Sequence, residues 1–411
     1  MGETAIIPFA CIVISSLLIF FARILLRERG QVLAAETTDL KTIYHTPSEN
    51  RSVIAAEIIH GARNQYTKYE SKSVPSEPIQ RGFRIQNAFT SDNKSYVEEF
   101  VKMSRNLINI SSDNWEIIVS ATQDTVRRWK SDAQGACESR REVELVPMVQ
   151  KKVTTNDVTF KSLSNLAEAI NETWIMSKKE DTFIPFEQND KLRSALIEVL
   201  PDGNISDPCE NPLNLILPGF ETMWRVVLRG FLEVAYKAGK EHPNWREALV
   251  SYSKKPTAEQ FKRASSPDGA SAKNLIKEVL RLYPPTKRIY RAWKEANFPE
   301  PKIIAADVEA CHLSTSIWGK TAGKFDPLRW QKLTKEQEEA FLAFGSRPFE
   351  CPAKPVFGPR LVGVLVGTLL DAFPHHWTLV SAYGDAVEFG TERLSNERMG
   401  CYGLYLELIR D

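Results

Sequence analysis

Apolar residues recur at helical spacing along most of this chain, and that periodicity restricts it to a helix-dominated fold. From Ser95 to Trp129 the apolar positions are Tyr96, Phe100, Val101, Leu107, Trp115, Ile118, Val119 and Val126, which step round helix faces. Leu163–Met176 and Lys191–Leu200 read the same way, and Pro201–Pro212, rich in Asp, Asn and Pro, reads as a loop. A long apolar helix is predicted over Leu213–Ala238, with further helices over Thr257–Ala264, Ala270–Leu282, Lys335–Ala343 and Pro352–Phe373. Strand signals are few: Ile289–Trp293, Val308–Leu313, Thr378–Val380 and Tyr402–Leu408. The fold class is therefore mainly α with a minor β part. A hydrophobic content of 43% supplies the core.

Ala5–Ala22 carries no charge over eighteen residues. As a helix it rises about 27 Å, close to the thickness of a hydrocarbon core. Arg23 can snorkel to the interface while Ile24, Leu25 and Leu26 extend the span to about residue 26. The start, Met-Gly-Glu, lacks the basic stretch of a cleaved signal, and Arg23, Arg27 and Arg29 follow the apolar run. The sequence thus predicts an uncleaved single-pass anchor over residues 1–29, with the body (30–411) on the cytoplasmic side. A formal charge of +1, from 53 basic and 52 acidic residues, argues against a nucleic-acid surface. The six cysteines show no CxxC pair and no zinc spacing.

Four short constellations carry the chemistry. In Lys277-Glu278-Val279-Leu280-Arg281-Leu282-Tyr283-Pro284-Pro285, Glu278 and Arg281 share a helix face and the prolines stop the helix. Phe325-Asp326-Pro327-Leu328-Arg329-Trp330 follows, after His312 and Ile317-Trp318-Gly319. Phe344-Gly345-Ser346-Arg347-Pro348-Phe349-Glu350-Cys351 places a cysteine at the opening of an apolar helix, where amides and dipole favour a thiolate. Leu217-Pro218-Gly219-Phe220-Glu221-Thr222 puts an acid and a hydroxyl beside a kink in the long helix. Together, in this order and at these separations, they resemble the cytochrome P450 family: Thr222 precedes Glu278 by 56 residues and Arg281 precedes Cys351 by 70.

The resemblance covers the chain from about residue 213 onward, together with the anchor. It implies a helical prism around haem b (iron protoporphyrin IX), with Cys351 as the axial iron ligand and Phe344 opening the haem loop. It implies a buried structural triad of Glu278, Arg281 and Arg329, and proton delivery by Glu221 and Thr222 on the distal side. The family's glycine and basic residue, four and two positions before the cysteine, are here Arg347 and Phe349. The resemblance leaves propionate binding to Arg291, with Arg347 as the substitute for the missing basic residue. Arg81–Thr90 is similar to part of the N-terminal half of some fungal members, which points to secondary metabolite biosynthesis.

The function implied is a monooxygenase acting on a small lipophilic molecule near Phe220, with electrons from NADPH through a flavoprotein reductase. Lys354 and Arg360 are candidate contacts for that reductase, and the membrane is the endoplasmic reticulum. Two alternatives stand beside it: a haem-dependent rearrangement or cyclisation without a reductase, and a haem-free, non-catalytic binding protein.

Overall fold

A computed structural model describes residues 42–60, 64–135, 160–264, 269–295, 300–381, 383–398 and 404–408. The predicted membrane span at residues 5–26 lies outside them. Among the described residues no helix is long and apolar enough to cross a membrane.

The fold is mainly helical. β1 (Thr42–Tyr44) leads into α1 (Pro47–Ile54), which Thr46 caps by accepting from Glu49 N while Pro47 starts the first turn. α2 (Lys68–Ser73) opens on a capping box of Thr67 and Glu70. α3 (Lys94–Ile108), α4 (Ser112–Gly135), α5 (Phe160–Met176) and α6 (Asp190–Val199) complete the first half. In the second half α7 (Leu213–Tyr236), α8 (Pro243–Lys254) and α9 (Ala272–Leu282) precede the sheet strands β2 (Arg288–Trp293) and β3 (Lys302–Asp307). α10 (Val308–Leu313), α11 (Phe357–Ala372), β4 (Trp377–Ser381) and β5 (Leu404–Leu408) finish the chain. β3 lies between β1, parallel, and β2, antiparallel, while β4 and β5 form a separate antiparallel pair.

The core is built on α7 and α11, apolar nearly all round because both run through the interior. Glycines allow the closest approach. A Cβ at Gly367 would stand 2.3 Å from Leu249 O, and one at Gly363 would stand 2.9 Å from the Tyr252 ring, so α8 rests on the backbone of α11. Pro218 lies inside α7 and has no N–H to give Asn214 O. Asn87 Nδ2 donates to that carbonyl instead, at 3.3 Å. The carbonyl that Pro218 leaves without its helix donor is thus satisfied from a loop far away in sequence.

Two expectations are corrected here. Val308–Leu313, predicted as a strand, is helix α10, because Asp307 caps it by accepting from Ala310 N at 2.9 Å and the strand ends one residue earlier. The helix predicted from Pro352 begins at Phe357. Pro352 and Pro355 carry no N–H, and Val356, at φ −139° and ψ −61°, is outside helical geometry.

Candidate functional site

Cys351 sits in the loop between the short helix at Lys335–Ala340 and α11. Its N–H donates to Phe344 O at 2.9 Å and its carbonyl accepts from Lys354 N at 3.2 Å, which closes the loop on itself. The thiol is half-buried. The Phe344 ring lies against Gly358, where a Cβ would stand 3.0 Å from it, so Phe344 ties the loop to the first turn of α11. Because residues 352–356 intervene, the cysteine does not open the helix. Burial pushes its thiol up, with Glu350 adding to the rise and the Ala353 amide opposing it. The help expected from a helix terminus is therefore missing at this thiol, and a metal cation would supply the charge that deprotonates it.

The scaffold behind this loop is the triad. Glu278 and Arg281 are both 0% exposed, so their charges must be matched completely. Glu278 accepts from Arg281 Nε (3.0 Å) and Nη2 (2.7 Å), Arg329 Nε (3.0 Å), Trp330 Nε1 (2.9 Å) and Asp326 N (3.0 Å). Arg281 Nη1 donates to His312 O and Ala322 O. The structure brings Glu278, Arg281 and Arg329 together in one buried cluster.

His312 extends this network to the haem-loop side. Its Nδ1 stands 2.9 Å from Arg281 O and its Nε2 accepts from Leu342 N at 2.9 Å, which fixes the neutral tautomer with the proton on Nδ1. Burial, then the Arg281 charge, push its pKa down to about 3. The native ring therefore stays neutral while the unfolded chain takes up a proton below pH 6.5. Stability is lost as pH falls from there towards 3, by about 1.4 kcal/mol per pH unit for this one group. Urea titrations at pH 6 and pH 5 are expected to show that slope in the native protein. In His312→Phe the slope should shrink by one proton's worth.

Arg291, on β2, is 5% exposed and donates through Nε and Nη2 to Ile54 O and through Nη1 to Tyr290 O. Lys72, on α2, is 6% exposed and donates to Ala88 O. Both cations pack on the Phe349 ring, Arg291 at 5.3 Å and Lys72 at 5.0 Å. Burial, then repulsion from Arg291, push the Lys72 ammonium down to about 8, and burial pushes Arg291 down to about 10. Neither has an ion-pair partner among the described residues; Asp92 helps Lys72 only from beyond contact distance. Lys72 is the residue that sequence reasoning missed. It stands beside Phe349, where the expected basic residue is absent, whereas Arg347 is exposed and makes no ion pair among the described residues. Two buried like charges without an anion are costly. Ser346 Oγ in the same loop is also buried without a partner. These residues fit a group that brings negative charge beside a thiolate-ligated metal, as the two propionates of haem do.

On α7, Thr222 Oγ1 donates to Pro218 O at 2.6 Å, which leaves its lone pairs as acceptors. Glu221 is 4% exposed and ion-paired to Arg398. Phe220 is fully buried in the core. Of the candidate reductase contacts, Lys354 pairs with Glu350 at 2.6 Å. Arg360 is held inward by Tyr252 and Pro256 O and lies 4.4 Å over Trp115.

Residues 271–376 match the protein family described as Cytochrome P450. Cytokinin hydroxylase of Arabidopsis thaliana is 27% identical over 145 residues, which cover 32% of this chain and 27% of that protein. Cytochrome P450 CYP13A10 of Caenorhabditis elegans is 33% identical over 87 residues, covering 19% of this chain and 17% of that protein. The chain thus spans less than a third of the length of these curated relatives. Among solved structures, a six-coordinated cytochrome P450 from Thermus thermophilus superposes with a TM-score of 0.51 at 14% identity, covering 90% of this chain and 92% of that one. CYP175A1, from another strain of the same organism, gives 0.50 at 13% identity, covering 90% and 89%. That likeness is one of fold.

Proposed function

For a chain with the cytochrome P450 fold, and with that family's sequence across residues 271–376, we propose the function of a haem-thiolate monooxygenase acting on a small lipophilic molecule. The observation that carries it is the pairing of Cys351, in a loop closed by Phe344 O, with the uncompensated cations Lys72 and Arg291. Cys351 would hold the iron; Lys72 and Arg291 would hold the propionates, with Arg347 at the rim. When bound, haem supplies activation of dioxygen with electrons delivered from outside, NADPH being their source through a flavoprotein reductase. The chain's own part is to hold the thiolate, to exclude bulk water beneath α7, and to move protons from Glu221 through the Thr222 hydroxyl. The predicted anchor would hold the protein at the endoplasmic reticulum membrane with its body in the cytoplasm, and the substrate would belong to secondary metabolism.

Product formation by the reconstituted full chain, with and without NADPH and reductase, tests the reading. Turnover that needs both supports it, and turnover that needs neither favours haem-dependent rearrangement instead. Haem retention gives a separate test of Lys72. Lys72→Met is expected to release haem to apomyoglobin about tenfold faster, the worth of one charge-assisted hydrogen bond. The same variant should raise the melting temperature of the haem-free protein, because it removes one of two buried like charges. Loss of a merely structural lysine would instead lower that melting temperature.

A further inference from the structure

The acid on α7 is held from segment 393–398, which is neither helix nor strand. Arg398 donates through Nη2 to Glu221 Oε2 and through Nη1 to Asn171 Oδ1 on α5. Its guanidinium lies 5.4 Å from the Trp224 ring and 5.9 Å from the Trp174 ring, so it is held by packing as well as by hydrogen bonds. The backbone that delivers Arg398 is itself fastened. Arg393 donates to Leu282 O and Glu309 Oε1, and Leu394 N donates to the Tyr283 hydroxyl. Asn396 Nδ2 donates to Pro284 O and Glu309 Oε1. From α7, Arg225 donates to Asn396 O, and Arg229 donates to Ser395 O and Glu397 O. This strap leaves less freedom to be lost when the long Arg398 side chain orders on Glu221.

Only one oxygen of that carboxylate is engaged. Glu221 is 4% exposed, and its Oε1 is buried with no hydrogen-bond partner. A buried ion pair whose role is stability gains from donors on both oxygens, because an unmet buried acceptor is costly. Glu278 shows the contrast: its Oε1 accepts from Arg281, Arg329 and the Asp326 amide, and its Oε2 from Arg281 and Trp330. Glu221 has one oxygen anchored and the other unengaged. A proton carrier needs that arrangement, fixed in place with one oxygen open to take up and release a proton. We propose that Arg398 is the positioning residue of the proton path: it anchors Glu221 through Oε2, so that Oε1 is the oxygen that passes protons towards Thr222. Arg398 acts through Glu221 and not on the substrate. The role rests on the monooxygenase reading, which makes Glu221 the acid.

The test measures reductase-driven oxidation of NADPH in air by the haem-loaded full chain, in H2O and in D2O, with the two electrons and two protons going to dioxygen. Urea titrations of the haem-free protein run beside it, and neither needs a substrate. Glu221→Gln is expected to slow the oxidation about a hundredfold, the lower end of what a positioned acid contributes. Arg398→Met should slow it about tenfold, the worth of one charge-assisted hydrogen bond. It should also raise the solvent isotope effect, because proton delivery becomes the slow step. Arg398→Lys keeps a cation on Oε2 and should recover most of the rate. In a Glu221→Gln background, Arg398→Met should cost nothing further. In the haem-free protein the double variant should have a urea midpoint no lower than that of Arg398→Met, as for two residues that act as a pair. A native rate and isotope effect in Arg398→Met overturn the proposal. So does an equal slowing with and without Glu221, which would be damage to the fold. Failure to take up haem is a different result: it overturns the monooxygenase reading and the role with it, while the urea midpoints still show whether Arg398 anchors Glu221.

Discussion

Glu278→Ala is expected to lose about 3–5 kcal/mol of stability, the cost of removing one partner from a buried ion pair. Such a loss approaches the whole stability of many domains, which is about 5–15 kcal/mol. The reason is in the donor set. Arg281 is 0% exposed and would keep its charge with only carbonyls to face, while Trp330 Nε1 and the Asp326 amide would lose their acceptor. Arg329, at 9% side-chain exposure, would lose its nearest anion. Urea denaturation of the haem-free protein should show a large fall in the midpoint with little change in slope. Glu278→Gln, which keeps the shape but not the charge, should fall between alanine and the native protein. A change under about 1 kcal/mol would mean that the triad does not hold this scaffold.

The triad was legible because its members announce themselves locally: Glu278 and Arg281 are one turn apart, and Arg329 lies in a motif with its own aromatic partner. α7, α9 and α11 were legible from apolar periodicity alone. The partners that complete the site were not. Lys72 meets Phe349 from a helix in the first third of the chain, and no short-range pattern marks it. Arg398 reaches Glu221 across 177 residues, and Asn87 donates to Asn214 O, one turn before Pro218, across 127. Such contacts are set by tertiary packing, and a single sequence carries no trace of them. The two local misreadings have simple causes. Val308 and the alternation after it read as a strand, but the Asp307 side chain starts a helix there. Cys351 read as a helix opener, but two prolines hold the following five residues in turns.

Burial raises the Cys351 thiol, and the helix whose terminus would favour a thiolate begins only at Phe357. A metal ligand is deprotonated by the metal's own charge, so thiolate character should appear only with haem. Alkylation at Cys351 in the haem-free protein near neutral pH, followed by peptide mapping because Cys209 is also free and exposed, should accordingly be slow, and loading with haem should abolish it at that residue.

The most direct measurement is the carbon monoxide difference spectrum of the reduced, haem-loaded full chain, beside Cys351→Ala. The account predicts a Soret band at the position characteristic of thiolate ligation in the native protein, absent in Cys351→Ala while the variant keeps its far-ultraviolet circular dichroism. A thiolate-type band that survives in Cys351→Ala, or a folded native protein that takes up no haem at all, would contradict it.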